Sequence, residues 1–166
     1  MSITAKAFKY GDDINTDYII SGKYKFKSND MEVMAHYAME ELDPNYYEKV
    51  KPEGGFLVAG KNFGMGSSRE QAPLVLIHAN TRAVLAKSFA RIFYRNAINT
   101  GLPIMEAPEA VDGIRDGDRV SVDADAGVIV NETTGATFRA QPFPPFIKDI
   151  IEQGGLIESV KRKVNA

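Results

Sequence analysis

The chain has 166 residues, a length that fits one domain over 1–166 and can bury a hydrophobic core. Its formal net charge of −2 argues against a general nucleic-acid binder. The sequence contains no cysteine, which excludes a disulfide, a cysteine nucleophile and a thiolate-ligated zinc or iron–sulfur site within this chain. Its only histidines, His36 and His78, are far apart, so we expect no metal site made by this chain alone. No signal-like N-terminus and no membrane-length apolar run is found, and we therefore expect a cytoplasmic protein without membrane contacts.

In the first two thirds of the sequence, short apolar runs typical of strands alternate with stretches whose apolar residues recur at helical spacing. Asn29 with Glu32 three residues later is typical of a helix N-cap, and Asp43-Pro44 ends that helix. Ser88 is placed to cap another helix, which Gly101 closes. The patterns predict strands over residues 3–10, 56–60, 83–86 and 102–105, and helices over residues 29–42, 70–78 and 88–100.

The pattern changes after Pro108. Turn signals separate short alternating runs, which predict strands over residues 119–122, 128–130 and 137–139. A last helix begins at Pro144-Pro145 and ends at Gly154-Gly155. The sequence therefore predicts one α+β domain with strand–helix units in its middle and a β-meander before a C-terminal helix.

The most informative stretch is Gly-Met-Gly-Ser-Ser-Arg-Glu, residues 64–70. Its glycines let the backbone approach a ligand, and its hydroxyls and guanidinium precede a helix N-terminus, a combination that suits a carboxylate. Ser67 and Glu70 also fit a capping box, which needs no ligand. Pro73 belongs in a first helical turn, so the helix is expected to start near residues 70–72, which leaves Ser67 in the loop. On the residues alone, the two interpretations weigh about equally.

Arg91 and Arg95 lie four residues apart on a predicted helix, where two cations repel unless each is paired. We interpret them as a solvated face or as groups for partner-facing salt bridges, and not as catalytic residues.

Four stretches in register resemble one known family: Asn15-Thr16-Asp17 and residues 60–70, 87–96 and 101–103. Together they are similar to the small subunit of 3-isopropylmalate dehydratase, in the aconitase superfamily, and the resemblance covers nearly the whole chain. It implies an aconitase-like swivelling β/β/α domain, with a mixed sheet or open barrel and flanking helices.

The resemblance also implies that the catalytic groups are divided between two chains. The small subunit docks on a large subunit that carries a 4Fe-4S cluster, as a heterodimer or heterotetramer, while this chain binds no cofactor. The implied reaction is hydro-lyase chemistry on a 2-hydroxy dicarboxylic acid, interconverting 2- and 3-isopropylmalate in leucine biosynthesis. The cluster's open iron would act as a Lewis acid on the substrate.

Site residues are implied by position. Ser67 matches the serine that removes a proton from carbon, Ser68 and Arg69 match residues that hold a substrate carboxylate, and Asp17 matches an acidic residue lining the same cleft. Gln71 and Met65 depart from the family, which commonly has histidine and often cysteine there; neither is expected to touch substrate.

Substrate choice in this family follows a loop that matches Tyr24, Lys25, Phe26 and Lys27. Phe26 favours an apolar substituent, whereas the flanking lysines could equally bind an extra carboxylate. The small subunits of homoaconitase and of dimethylmalate dehydratase therefore stay as alternatives. A hypothesis of another class is a stand-alone regulatory domain that binds dicarboxylates through the Ser-Ser-Arg loop.

Overall fold

A computed structural model describes residues 2–24 and 28–165, which form one mixed β-sheet with helices around it. The strands are β1 (Ser2–Lys9), β2 (Gly55–Ala59), β3 (Thr81–Ala86), β4 (Ile104–Glu106), β5 (Arg119–Asp123), β6 (Val128–Asn131) and β7 (Thr137–Arg139). The helices are α1 (Thr16–Ile19), α2 (Met31–Ala35), α3 (Tyr46–Val50), α4 (Gln71–His78), α5 (Arg91–Thr100), α6 (Pro108–Gly113), α7 (Pro145–Glu152) and α8 (Leu156–Val164).

The sheet has two halves that meet at β1. Its strand order is β4-β3-β2-β1-β5-β6-β7. Strands β1 to β4 pair in parallel, whereas β5, β6 and β7 are antiparallel to their neighbours. The predicted α+β architecture, a mixed open sheet with flanking helices, is confirmed.

Each face of the sheet carries its own hydrophobic core, because side chains alternate along β2. Leu57 and Ala59 join the first core, which includes buried residues of α1, α2, α4 and α5. Phe56 and Val58 join the second core with α6, β5 and β6. Every residue of β2 is buried, as expected for a parallel strand covered on both faces. The first core thus holds α1, α2, α4 and α5 against one face of the sheet.

Two predicted helix boundaries were wrong, each because of a tertiary backbone contact. The helix predicted over residues 29–42 is only α2, capped by Asp30 instead of Asn29. Met39 has a φ of 60°, and its N–H donates to the carbonyl of Ile19, so the chain leaves helical geometry after α2. Ser88 does not cap α5, because its hydroxyl instead accepts a hydrogen bond from the backbone N–H of Asn62.

Strand β4 begins at Ile104 instead of residue 102, and α1, α3, α6 and α8 were not predicted. Gly154 and Gly155 end α7 as predicted, but α8 begins directly after them. Among residues 2–24 and 28–165, no helix is both long and apolar enough to cross a bilayer.

The turn before β5 depends on a buried hydrogen-bonded carboxylate. Asp118 accepts from the backbone N–H of Arg115 and from the side-chain amide of Asn131, both at 2.8 Å. These two donors, the Arg115 N–H first, lower the pKa of the Asp118 carboxyl. The backbone carbonyl of Asp118 accepts from Ala7 in β1, so this turn joins the two halves of the sheet.

Replacing Asp118 with asparagine should lower the free energy of unfolding by about 1 kcal/mol near neutral pH. Both donors bond the same carboxylate oxygen, Oδ2, and an amide oxygen in its place accepts these hydrogen bonds without the charge that strengthens them. Since the native pKa is lowered, the wild-type advantage should be complete above about pH 4 and should disappear as the pH falls through the native pKa. Urea unfolding at several pH values measures both effects. Glu109→Gln, on the exposed side of α6, is the matched control; an equal loss in that variant would contradict the assignment.

Candidate functional site

Two loops lie together at the carboxyl ends of β1 and β2. Residues 11–20 follow β1 and residues 60–70 follow β2. Backbone hydrogen bonds run from Asp13 to Lys61, from Gly64 to Ile14 and from Thr16 to Met65, at 2.7–2.9 Å. We call this paired segment the loop pair. It brings the Asn-Thr-Asp and Gly-Ser-Ser-Arg motifs, which are about fifty residues apart in sequence, into one site.

Thr16 and Gly64 fix the conformation of the loop pair. Thr16 is buried, and its hydroxyl donates to the backbone carbonyl of Ser67 at 2.8 Å. Gly64 has a φ of 85°, and a Cβ there would collide with the ring of Phe93 on α5. Only glycine satisfies both the backbone conformation and this close approach.

Ser67 and Ser68 both lie exposed at the tip of the loop. The side-chain amide of Asn96 on α5 donates to the Ser68 hydroxyl at 3.4 Å, a long hydrogen bond. Within residues 2–24 and 28–165, no side chain or backbone group hydrogen-bonds to the Ser67 hydroxyl. That hydroxyl is therefore available to a ligand.

Arg69 is half-buried and is held at two points. One terminal nitrogen lies 2.6 Å from the Asp17 carboxylate, and the other donates to the carbonyl of Ile20 at 3.0 Å. The Arg69 side chain is 24% exposed, whereas that of Asp17 is 55% exposed. The guanidinium has five N–H donors, so these two contacts orient it and leave further donors for an anion.

The helix after this loop tests the capping-box interpretation. Helix α4 starts at Gln71, which puts Pro73 in its first turn, as predicted from the proline. Glu70 occupies the N-cap position, and no side chain caps the helix. Ser67 lies outside the helix, so the capping-box interpretation was wrong.

A hollow of about 240 Å³ opens beside Arg69. Its polar side is formed by the Ser-Ser-Arg motif and Gln71, and its apolar side includes Ile20 and Met34, which are 3% and 1% exposed. This pairing of a guanidinium and hydroxyls with an apolar wall suits a small carboxylic acid that carries a hydrocarbon group. The hollow is lined by Ile20, Ser21, Gly22, Met34, Ser67, Ser68, Arg69 and Gln71.

The predicted site residues fall into two groups. Asp17, Ser67, Ser68 and Arg69 lie together at the loop pair. Tyr24 stacks on Tyr37 at 4.0 Å between ring centroids and does not line the hollow. The remaining residues predicted to choose the substrate, Lys25, Phe26 and Lys27, lie outside the described residues.

Sequence reasoning missed four residues of this site. Thr16 was noticed only as part of a motif, and its buried hydrogen bond needs the tertiary structure. Ile20 follows α1, and Met34 and Asn96 reach the site from α2 and α5; no local pattern indicates this. Gln71, read from sequence as distant from substrate, lines the hollow.

The residues of this chain do not fit an iron–sulfur cluster. The sequence has no cysteine. Within the part of the chain that the structure describes, no three His, Asp or Glu side chains cluster as metal ligands. His78 pairs with Glu32 at 2.9 Å, and the His36 ring nitrogen bonds the Glu32 carbonyl.

Comparisons with known proteins agree with one another. The model of the Aconitase C-terminal domain family matches residues 13–109. A 3-isopropylmalate dehydratase small subunit from Caldanaerobacter subterraneus is 57% identical over 159 residues, covering 96% of this chain and 98% of that protein. Small subunit 2 from Archaeoglobus fulgidus is 49% identical over 162 residues, with 98% and 96% coverage. A crystal structure of 3-isopropylmalate dehydratase from Methanocaldococcus jannaschii superposes with a TM-score of 0.92 at 43% identity, covering 99% of this chain and 96% of that one.

Replacing Gly64 with alanine should displace the loop pair, because the new Cβ would meet Phe93 and the backbone has a positive φ. The strained backbone alone costs about 1–3 kcal/mol. We expect a lower melting temperature and faster proteolytic cleavage within residues 60–70. Gly135→Ala, at a positive-φ turn position with open space around it, separates backbone strain from the collision with Phe93. Equal losses in both variants would show that the collision does not matter.

Proposed function

We propose a function from one premise: the chain belongs to the Aconitase C-terminal domain family and, within it, to the small subunits of 3-isopropylmalate dehydratase. It is a hydro-lyase subunit that acts with a large subunit to interconvert 2- and 3-isopropylmalate, a step of leucine biosynthesis in the cytoplasm. The large subunit holds the 4Fe-4S cluster, since this chain has no cysteine to ligate one. That cluster supplies the Lewis acid; the residues of this chain bind and orient substrate and move a proton.

One observation carries the proposal: the exposed Ser67 hydroxyl lies on the same loop as the Arg69 guanidinium, beside a hollow with an apolar wall. Arg69 binds a substrate carboxylate through the donors that Asp17 and Ile20 leave free. Asp17 positions the guanidinium before substrate arrives. The Ser68 hydroxyl adds a second donor to the same carboxylate.

Ser67 is the base that takes the proton from the substrate carbon. A serine hydroxyl is a poor base near neutral pH, so its alkoxide needs donors and positive charge around it. Arg69, two residues away, is one such charge, but Asp17 offsets it in the free subunit. A carboxylate bound to Arg69 would offset its charge further, so additional positive charge would have to come from the large subunit, and we expect this chain alone to be inactive.

The apolar wall supports isopropylmalate as the substrate. Ile20 and Met34 present hydrocarbon to the hollow, where a branched alkyl group loses contact with water. Homoaconitate would place an extra carboxylate against that wall without a described cation, at a large desolvation cost. 2,3-Dimethylmalate would fill less of the wall.

Replacing Ser67 with alanine should lower turnover by about 10²–10⁴-fold, the usual contribution of a general base. The measurement is the hydration and dehydration rate of the complex reconstituted with an iron–sulfur large subunit under anaerobic, reducing conditions. Because Ser67 is exposed, we expect the variant to fold and assemble normally. Ser121→Ala, on β5 in the other half of the sheet, is the matched control.

Turnover that survives in the Ser67→Ala complex would show that another group is the base. Activity of the isolated chain would contradict the two-subunit proposal. Titration calorimetry with isopropylmalate on the isolated chain tests the regulatory alternative, which requires tight binding without a partner.

Replacing Met34 with glutamine should reduce kcat/KM for isopropylmalate by about tenfold or more, because the wall gains a polar amide at nearly constant volume. The ratio of kcat/KM for isopropylmalate to kcat/KM for homoaconitate should fall at the same time. Rates with 2- and 3-isopropylmalate, homoaconitate and 2,3-dimethylmalate give the comparison. Met31→Gln, one turn earlier on α2 and outside the hollow, should keep the wild-type ranking. The same ranking in both variants would remove Met34 from the specificity site.

A further inference from the structure

The outer face of α5 combines two arginines with an exposed apolar side chain. Arg91, Ile92 and Arg95 all point away from the core, and Ile92 is 49% exposed. Over residues 2–24 and 28–165, no carboxylate forms an ion pair with either arginine. Two cations four residues apart on a helix repel each other, so this arrangement costs the free subunit stability.

The outer face of α5 is continuous with the candidate active site. Asn96, the residue after Arg95, donates to the Ser68 hydroxyl. Phe93, on the inner side of the same helix, packs under Gly64 in the loop pair. A protein that covers the exposed Ser67 hydroxyl must therefore also approach α5.

The other edge of α5 borders a hollow of about 520 Å³. Arg91 and Tyr94 line it together with Glu106 at the end of β4 and Phe143 before α7. Glu106 shares this hollow with Arg91, but the two do not form an ion pair within 4.0 Å. The described residues thus form a concave surface beside an arginine that makes no ion pair with any of their carboxylates.

We propose that the outer face of α5, formed by Arg91, Ile92 and Arg95, docks the large subunit, which presents carboxylates to the arginines and an apolar side chain to Ile92. This inference rests on the proposed two-subunit function. A second copy of this chain fits poorly, because a two-fold contact through this face would bring like-charged arginines together. A partner with acidic groups at this position instead removes the repulsion between Arg91 and Arg95.

The test is the affinity between this subunit and the large subunit of the same organism. We expect the double variant Arg91→Glu/Arg95→Glu to raise the Kd at least about tenfold, and the salt dependence of association to fall or reverse. At saturating large subunit, kcat should return to near the wild-type value, because neither arginine contacts the substrate. Arg82→Glu, at an exposed arginine near the amino end of β3, whereas α5 begins after the carboxyl end of that strand, should bind like wild type.

An unchanged Kd in the double variant would overturn the proposal. A raised KM for the substrate with unchanged Kd for the large subunit would also overturn it, because the arginines would then act by attracting substrate. Circular dichroism checks the fold. If Arg91→Glu/Arg95→Glu does not fold, the milder double variant Arg91→Gln/Arg95→Gln takes its place. If the wild-type subunit itself neither binds nor activates the large subunit, the proposed function fails. If wild type does both and the arginine variants match it, only the docking inference fails.

Discussion

The site depends on the hydrogen-bonded loop pair between residues 11–20 and 60–70. Arg69, on the second loop, takes its orientation from Asp17 and Ile20 on the first, so the guanidinium is held in place only when the two loops are paired. The buried Thr16 hydroxyl fixes the carbonyl of Ser67, which aims the loop tip outward. The paired strands β1 and β2 bring the two loops side by side, because parallel strands end at the same edge of the sheet.

The same geometry supports the proposal that the subunit presents half a site. The hydroxyls of Ser67 and Ser68 are exposed, while the apolar wall of the hollow is buried. Under the proposed function, the chain provides recognition groups and shape and leaves the reacting side of a substrate open to a partner. An exposed arginine pair on the helix next to this opening fits the same division between two chains.

Much of the fold could be predicted from the sequence, and the failures share a cause. Strand β2 and the start of α4 were predictable because an apolar run bounded by glycines, and a proline in a first turn, are local signals. The length of α2 was not, because the backbone bond from Met39 to Ile19 joins distant residues. Ser88 was misread for the same reason, since its hydroxyl binds Asn62 in place of its own helix. Within the site, the motif residues were identified through family resemblance, whereas Met34 and Asn96 required the three-dimensional packing.

The position of β1 has a consequence for synthesis of the chain. This first strand pairs with β2 on one side and with β5, Arg119–Asp123, on the other. The side of β1 that faces β5 therefore stays unpaired until about three quarters of the polypeptide has left the ribosome. An unpaired strand edge is a template for association with other chains. Contacts this distant in sequence also form slowly, because a long segment must close first. Nascent subunits should thus rely on chaperone protection of their N-terminal strand more than their modest size suggests.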